Sequence, residues 1–305
     1  MINRQNGMTD VSKRTDHSRI SPTAKITAYW RSLSDIPYSK EIAESVGAKE
    51  TAIYLLGDQV VAMGTISPAM FEARYKSINR GLDKCGIGNA LELACGLSPR
   101  GIEIVANGGT YVGTDLPDIY AESSPIIASI ARRAGIPMDR FHLQPANVLD
   151  RDQMENAASY FRRDRFAVCN EGLMMYLDPE EKAKMAEIVR VLLLKSGGAW
   201  ITTDITLGET RKKIASMLGP AGKAIAKSAM KKIADQTGRN ITENDFNSKA
   251  DAVLFYSKLG FDVEEFPMYD DRQTLSTASL MPEKRWEELL EILSSAKTWI
   301  LKPRN

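Results

Sequence analysis

Two rhythms of apolar and polar positions divide the chain. Over residues 21–85 the apolar positions recur at helical spacing. "SPTAKITAYWRSL" opens with Ser21 as an N-cap and Pro22 at the first helical position, and "SPAMFEARYKSINRGLDKCG" repeats that opening at Ser67-Pro68 and runs to Gly86. The period then shortens. Apolar runs of strand length recur at 90–95 ("ALELAC"), 110–115 ("TYVGTD"), 141–146 ("FHLQPA"), 165–170 ("RFAVCN") and 199–204 ("AWITTD"). Helical patterns separate them. "SSPIIASIARRAG" predicts a helix from Ser124-Pro125 to Gly135. "DPEEKAKMAEIVRVLLLKSGG" predicts one capped by Asp178, begun by Pro179, closed into a capping box by Glu181 and stopped at Gly197. Met185, Ile188, Val189 and Leu192 form its inward stripe, and Lys195 suits the negative end of its dipole. This alternation predicts an α/β fold: a Rossmann-like, doubly wound, mostly parallel sheet covered on both faces.

The last third changes character. Residues 209–238 read as a basic helical pair broken at Gly219-Pro220, too long for a simple crossover and taken as an inserted helical lid. A helix at about 243–259, a strand at 260–266, a helix at 283–294 and a strand at 297–303 follow, without a parallel crossover signature, so a C-terminal antiparallel strand is expected. The predicted organisation is a flexible polar tail (1–20) and a single domain (21–305). That domain comprises an N-terminal helical cap (21–88), a ligand-binding sheet (89–206), the lid insert (207–245) and the remainder of the sheet (246–305).

Sheets of this kind bind ligands beyond the carboxyl ends of their strands, so the residues closing each run carry the candidate chemistry. The first run turns through Gly96-Leu97-Ser98-Pro99-Arg100-Gly101. Gly96 permits a close backbone approach, but Ser98 stands where a GxGxxG fingerprint needs its second glycine, which argues against a dinucleotide pyrophosphate. The second run ends in Asp115, placed to accept both hydroxyls of an adenosine ribose. Asn147-Val148-Leu149-Asp150 follow the third, where side chains and backbone can flank an adenine. "CNEGLMMYLDPEE" brings Asn170, Glu171 and Tyr176 to the same edge.

Composition narrows the classes. The chain has 305 residues, 43% hydrophobic and 26% charged, with a net charge of +1, so no overall field favours nucleic acid or a membrane surface. Three cysteines (Cys85, Cys95, Cys169) form no metal or disulfide pattern, and none is expected; two histidines (His17, His142) exclude a two-histidine mechanism. No apolar run reaches the roughly 18 residues of a membrane span, and the N-terminus lacks the apolar core of a signal peptide. A cytoplasmic protein is expected.

"LELACGLSPRG", "YVGTDLPDI" and "NEGLMMYLDPEE", in this order and spacing, resemble the leucine carboxyl methyltransferase family of class I S-adenosylmethionine (SAM)-dependent methyltransferases. "SPTAKITAYWR" and "EARYKSINRGL" are similar to the family's N-terminal cofactor-closing region, so the resemblance covers about residues 21–195; beyond it "KLGFDVEEF" matches in outline. The chain departs from the pattern at Ala94, where a glycine is usual, and at Ser98-Pro99, where an acid and threonine are usual. The resemblance implies a SAM cofactor, leaving as S-adenosylhomocysteine, and a methyl transfer to a carboxylate or hydroxyl of a small-molecule (including polyketide-like) or protein acceptor. It implies Gly96 against the methionine part and Asp115 on the ribose. Asn147 and Val148 would flank the adenine, Glu171 would contact the amino-acid end, and Lys25, Arg74 and Arg100 would pair with its carboxylate. Glu92, Ser98, Leu116, Asn170 and Gly172 complete the implied cofactor set, with Tyr176 positioning the acceptor. Neither nucleic acid nor a membrane is implied as partner, and oligomeric state is left open.

Plainer roles stand beside these. Glu92, between Leu91 and Leu93, reads as a brace for the turn; Cys95 and Cys169 read as small core residues and His142 as a structural histidine. Tyr176 either lines the pocket or packs under the next helix. Lys25 and Arg74 are solvated helix faces without the family comparison. Residues 211–232 carry seven Lys/Arg and no acid, either a solvated face or a screen for an anionic acceptor. Two other functions use the same sheet: a nicotinamide-dependent oxidoreductase and a non-catalytic SAM-binding relative.

Overall fold

A computed structural model describes residues 22–57, 66–217, 244–269 and 275–305, with 223, 224, 227, 228 and 231. The chain opens with α1 (Pro22–Arg31), α2 (Ser39–Ser45), α3 (Ala48–Leu56) and α4 (Ser67–Cys85). Ser67 is the first residue of α4 rather than its cap; Ile66 occupies that position and no side chain caps the helix, with Pro68 supplying the first turn. The expected tail and the Ser21 cap lie outside the described residues.

The sheet follows: β1 (Ala90–Leu93), α5 (Arg100–Ala106), β2 (Tyr111–Asp115), α6 (Pro117–Arg133), β3 (Phe141–Pro145), α7 (Arg151–Ala158), β4 (Ala167–Asn170), α8 (Pro179–Ser196), β5 (Trp200–Thr202), α9 (Gly208–Met217), α10 (Lys249–Lys258), β6 (Phe261–Pro267), α11 (Glu283–Ser295) and β7 (Lys297–Pro303). The seven strands stand in the order β3-β2-β1-β4-β5-β7-β6. Strands β1–β5 pair in parallel, and β7 inserts antiparallel between β5 and β6, which makes β6 the edge. The winding reverses between β1 and β4, and there the carboxyl ends of neighbouring strands open a crevice.

One predicted boundary moves. The helix expected from Ser124 begins at Pro117 and passes through Pro125. Pro117 at the first position satisfies the same preference that Ser124-Pro125 offered, and α6 tolerates one missing N–H because Ile127, Ile130 and Ala131 bury its face. α8 has the expected capping box, with the Glu181 N–H donating to Asp178 at 2.8 Å and the Asp178 N–H to Glu181 at 3.1 Å. Its stripe of Met185, Ile188, Val189 and Leu192 is buried.

Strand alternation places side chains on two faces. Leu91, Leu93, Val168 and Trp200 pack with α7, α8 and α10, whereas Ala90, Ala167, Cys169 and Ile201 pack with α1, α4, α5 and α6. Glu92 faces the second side. A third cluster joins Ala69 and Ala73 of α4 to Leu275, Trp286 and Leu289. Within the residues predicted as the insert, α9 is described. Leu207 bridges Phe246, and Arg211 pairs with Asp245 at 2.5 Å. Residues 218–222 and 232–243 lie outside the described set.

Candidate functional site

The turn after β1 sets the geometry. Ala94 (φ 49°) and Gly96 (φ 50°) both take left-handed backbone conformations. Glycine does this freely and alanine at a cost, so the departure at Ala94 keeps the bend and stores strain in it. The bend aims the Gly96 N–H at Asp115 Oδ2 (2.8 Å), while the Leu116 N–H reaches Oδ1 (2.8 Å). Helix α1 crosses above: a Cβ placed on Gly96 would stand 3.8 Å from Ala24. Asp115 is 6% exposed. Burial pushes its carboxyl up to about 6, against the two backbone hydrogen bonds that favour the charge, and Glu92 adds to the rise.

Below the turn lies a saturated floor. Glu92 accepts from Ser98 Oγ (3.1 Å), Arg100 Nε (3.1 Å) and Tyr111 Oη (2.7 Å). Arg100 is fully buried and donates also to the Tyr75 carbonyl (3.1 Å), Asn79 and Glu171 (3.2 Å), with its guanidinium 4.1 Å from the Tyr75 ring centre. Burial works against that charge, and Glu92 foremost among its neighbours restores it. The structure thus places Glu92, Ser98 and Arg100 under the turn as a brace; Arg100 points at protein acids, not into the crevice where a ligand carboxylate was expected. Gly101 likewise serves packing, because a Cβ there would overlap the Tyr111 ring.

Glu171 stands at the start of the loop after β4, its side chain 2% exposed, among three guanidiniums. Arg31 lies at 3.0 Å, Arg100 at 3.2 Å and Arg74 at 3.7 Å. Burial alone would raise this carboxyl, but Arg31, Arg74 and Arg100 outweigh it and hold the pKa below the usual range. Arg31 was absent from the sequence-derived set: as the last residue of an amphipathic helix it reads as an ordinary dipole-compensating cation. Asp204, just beyond β5, was missed too. It accepts from Asn170 Nδ2, the Gly172 N–H and the Leu173 N–H (2.7 Å each), the Met174 N–H (3.2 Å) and Arg74 (3.5 Å). Its signal was available, since it closes the fifth apolar run as Asp115 closes the second.

The remaining residues sort by depth. Asn170 is fully buried between Asp204 and the Trp200 indole N–H (2.7 Å), a strut inside the sheet edge. Tyr176 ends a short 3-10 turn (Met174–Tyr176), and its hydroxyl lies 3.1 Å from that of Thr23 on α1. Burial raises its phenol, and the Thr23 contact opposes this. Arg74 is 24% exposed, and Lys25 on α1 is half-buried. Asn147 is exposed, its side chain accepting from the Leu149 N–H (2.9 Å), with Val148 buried beside it. Leu116 and Gly172 are half-buried at the same edge. Cys95 and Cys169 are unpaired thiols raised by burial, and His142, near the start of β3, stacks on Tyr160 at 4.2 Å, away from this edge. Among the described residues no cluster of His, Cys, Asp and Glu fits a metal ion, and no helix is long and apolar enough to cross a membrane.

No protein-family model and no curated protein matches the chain. Solved structures do. A DUF574 family protein from Streptomyces avermitilis aligns over 94% of this chain and 100% of its own, with 15% identity and a TM-score of 0.53. A candidate methyltransferase from Thermobifida fusca aligns over 96% of this chain and 98% of its own, with 14% identity and a TM-score of 0.51. These likenesses establish a shared fold: the mostly parallel, helix-flanked sheet with its antiparallel C-terminal strand.

Proposed function

We propose that the chain is a SAM-dependent methyltransferase whose cofactor lies across the β1/β4 crevice, and that its acceptor presents an oxygen nucleophile. The carrying observation is Asp115: a buried carboxylate at the carboxyl end of β2, hydrogen-bonded to the backbone of the Gly96 turn. A carboxylate offers about four lone-pair directions, of which the Gly96 and Leu116 N–H groups occupy two. The others suit a vicinal diol. The residues present fit this cofactor further. Gly96 presents backbone without a Cβ beneath Ala24, Asn147-Val148 provide a polar and an apolar neighbour for a base, and the half-buried Arg74 and Lys25 are cations for a carboxylate. The fold likeness to the Thermobifida fusca candidate methyltransferase supports the same reading.

When bound, SAM supplies a methyl group made electrophilic by an adjacent sulfonium. The protein's own work is alignment and exclusion of water. Helix α1 covers the turn through Ala24 and reaches Tyr176 through Thr23. The raised phenol of Tyr176 stays protonated at neutral pH, so it holds an acceptor by donating a hydrogen bond and does not serve as a base. With His142 away from this edge among the described residues, an acceptor already ionised at neutral pH, a carboxylate or an acidic phenol, fits best.

Calorimetric titration tests the cofactor. SAM binds the wild type, NADH does not, and Asp115→Ala loses roughly 10- to 100-fold or more in SAM affinity, the scale of one or two hydrogen bonds to a charged group. Equal SAM affinity in the two proteins would end this assignment.

A further inference from the structure

We infer that Asp204 is a positioning residue that fixes the loop carrying Glu171 and Tyr176; what the loop is positioned toward rests on the function proposed above. Three successive backbone N–H groups, from Gly172, Leu173 and Met174, converge on its carboxylate, with the Asn170 amide and the Arg74 guanidinium completing five donors. Successive N–H groups turned inward form a concavity that suits an anion, and here the chain fills it with its own side chain. The concavity depends on Gly172, whose φ of 80° turns the backbone where an L side chain is strained.

Position follows from this chain of contacts. Glu171 immediately precedes the gripped N–H groups, and Tyr176 ends the turn that begins at Met174. Asp204 is itself fixed: its N–H donates to Thr202 Oγ1 (3.0 Å), and the Thr202 hydroxyl donates to the Asn170 carbonyl (3.3 Å). The end of β5 therefore dictates the path of the chain leaving β4. An asparagine in this place has the same shape but turns an NH2 toward at least one group that also donates. The loop loses acceptors while the sheet beneath keeps its pairing.

Hydrogen exchange of the full-length protein, read by mass spectrometry without ligand, tests this. In Asp204→Asn, peptides covering 171–176 should exchange at least about tenfold faster, while those covering 90–93 and 111–115 keep wild-type protection. SAM affinity of the folded protein should fall about tenfold, the scale of about one misplaced hydrogen bond to a charged group. Gly172→Ala, which disturbs the same concavity from the loop side, should accelerate the same peptide. Unchanged exchange at 171–176, or acceleration spread evenly over the sheet, would overturn the inference. So would a lowered melting temperature with unaltered SAM affinity. A wild type that binds no SAM would remove the cofactor reading and leave the exchange comparison to decide Asp204 alone.

Discussion

Asp115 and Glu171 are both buried acids at the carboxyl edge of one sheet, and their surroundings treat charge in opposite ways. Asp115 meets two backbone N–H groups and, among the described residues, no cation, and burial lifts its carboxyl to about 6. Glu171 meets Arg31, Arg74 and Arg100, and its carboxyl is held low. Two of the first acid's acceptor directions are taken by those N–H groups. The second is already neutralised by the protein, joining α1, α4 and α5 at one point. Location at a strand end is thus no sufficient sign of ligand contact; the neighbouring charges distinguish the two acids, with guanidiniums around Glu171 and backbone N–H groups at Asp115.

The largest expected effect tests the architectural half. Glu171→Gln leaves three guanidiniums around a neutral side chain and should cost about 3–5 kcal/mol, the usual penalty for breaking a buried ion pair. Denaturant titration would measure it through the midpoint at unchanged slope. Asp115→Asn should cost less, about 1–3 kcal/mol, because the amide oxygen keeps one backbone N–H while its NH2 leaves the other unpaired, and a disfavoured charge is gone. Equal losses in the two variants would erase the distinction.

The two acids also titrate in opposite senses. Asp115 moves from 3.8 to about 6 on folding, so between those values the folded protein holds more protons than the unfolded one. Its contribution to stability therefore falls as the pH rises through that window, then levels off. Glu171 is lowered from 4.5, so its contribution is present above that value and is lost as the pH falls below it. With the cofactor placed as proposed, ribose hydroxyls donate best to an ionised Asp115, so SAM affinity should be flat above about pH 6 and weaken by up to about tenfold per unit below it. Calorimetry at several pH values checks this. Asp115→Asn should show weaker binding without that slope, and a slope surviving in the variant would assign it elsewhere.

The sheet was legible because its signals are local. The strand runs, the capping box of α8 and the antiparallel late strand follow from period, caps and missing crossovers. Pro125 misled because a proline that starts helices elsewhere in this chain lies within α6, whose earlier Pro117 takes the first position. Strand-end position singled out Asp115 and Glu171, and the structure brings both to one edge of the sheet. Partner identity was not legible. Which cation Glu171 meets depends on helices far away in sequence, so Arg31 drew no reading and Arg100 read as a ligand contact. Asp204 was legible as the acid closing the fifth apolar run, but its five donors, from β4, the following loop and α4, were not.

The smallest expected effect lies where the two halves of the comparison touch. Arg74 reaches Glu171 at 3.7 Å and Asp204 at 3.5 Å, and at 24% exposure it is far more open than Arg31 or Arg100. Long, partly solvated pairs contribute little, so Arg74→Met should cost no more than about 1 kcal/mol, with Arg31 and Arg100 still holding Glu171. Its open face is the part available to a ligand carboxylate, and SAM affinity should fall about three- to tenfold, more at low salt than at high salt. Denaturation and calorimetry on the same variant separate the two roles. A stability loss near that of Glu171→Gln, with SAM affinity unchanged, would return Arg74 to the architecture and leave Lys25 as the cation facing the crevice.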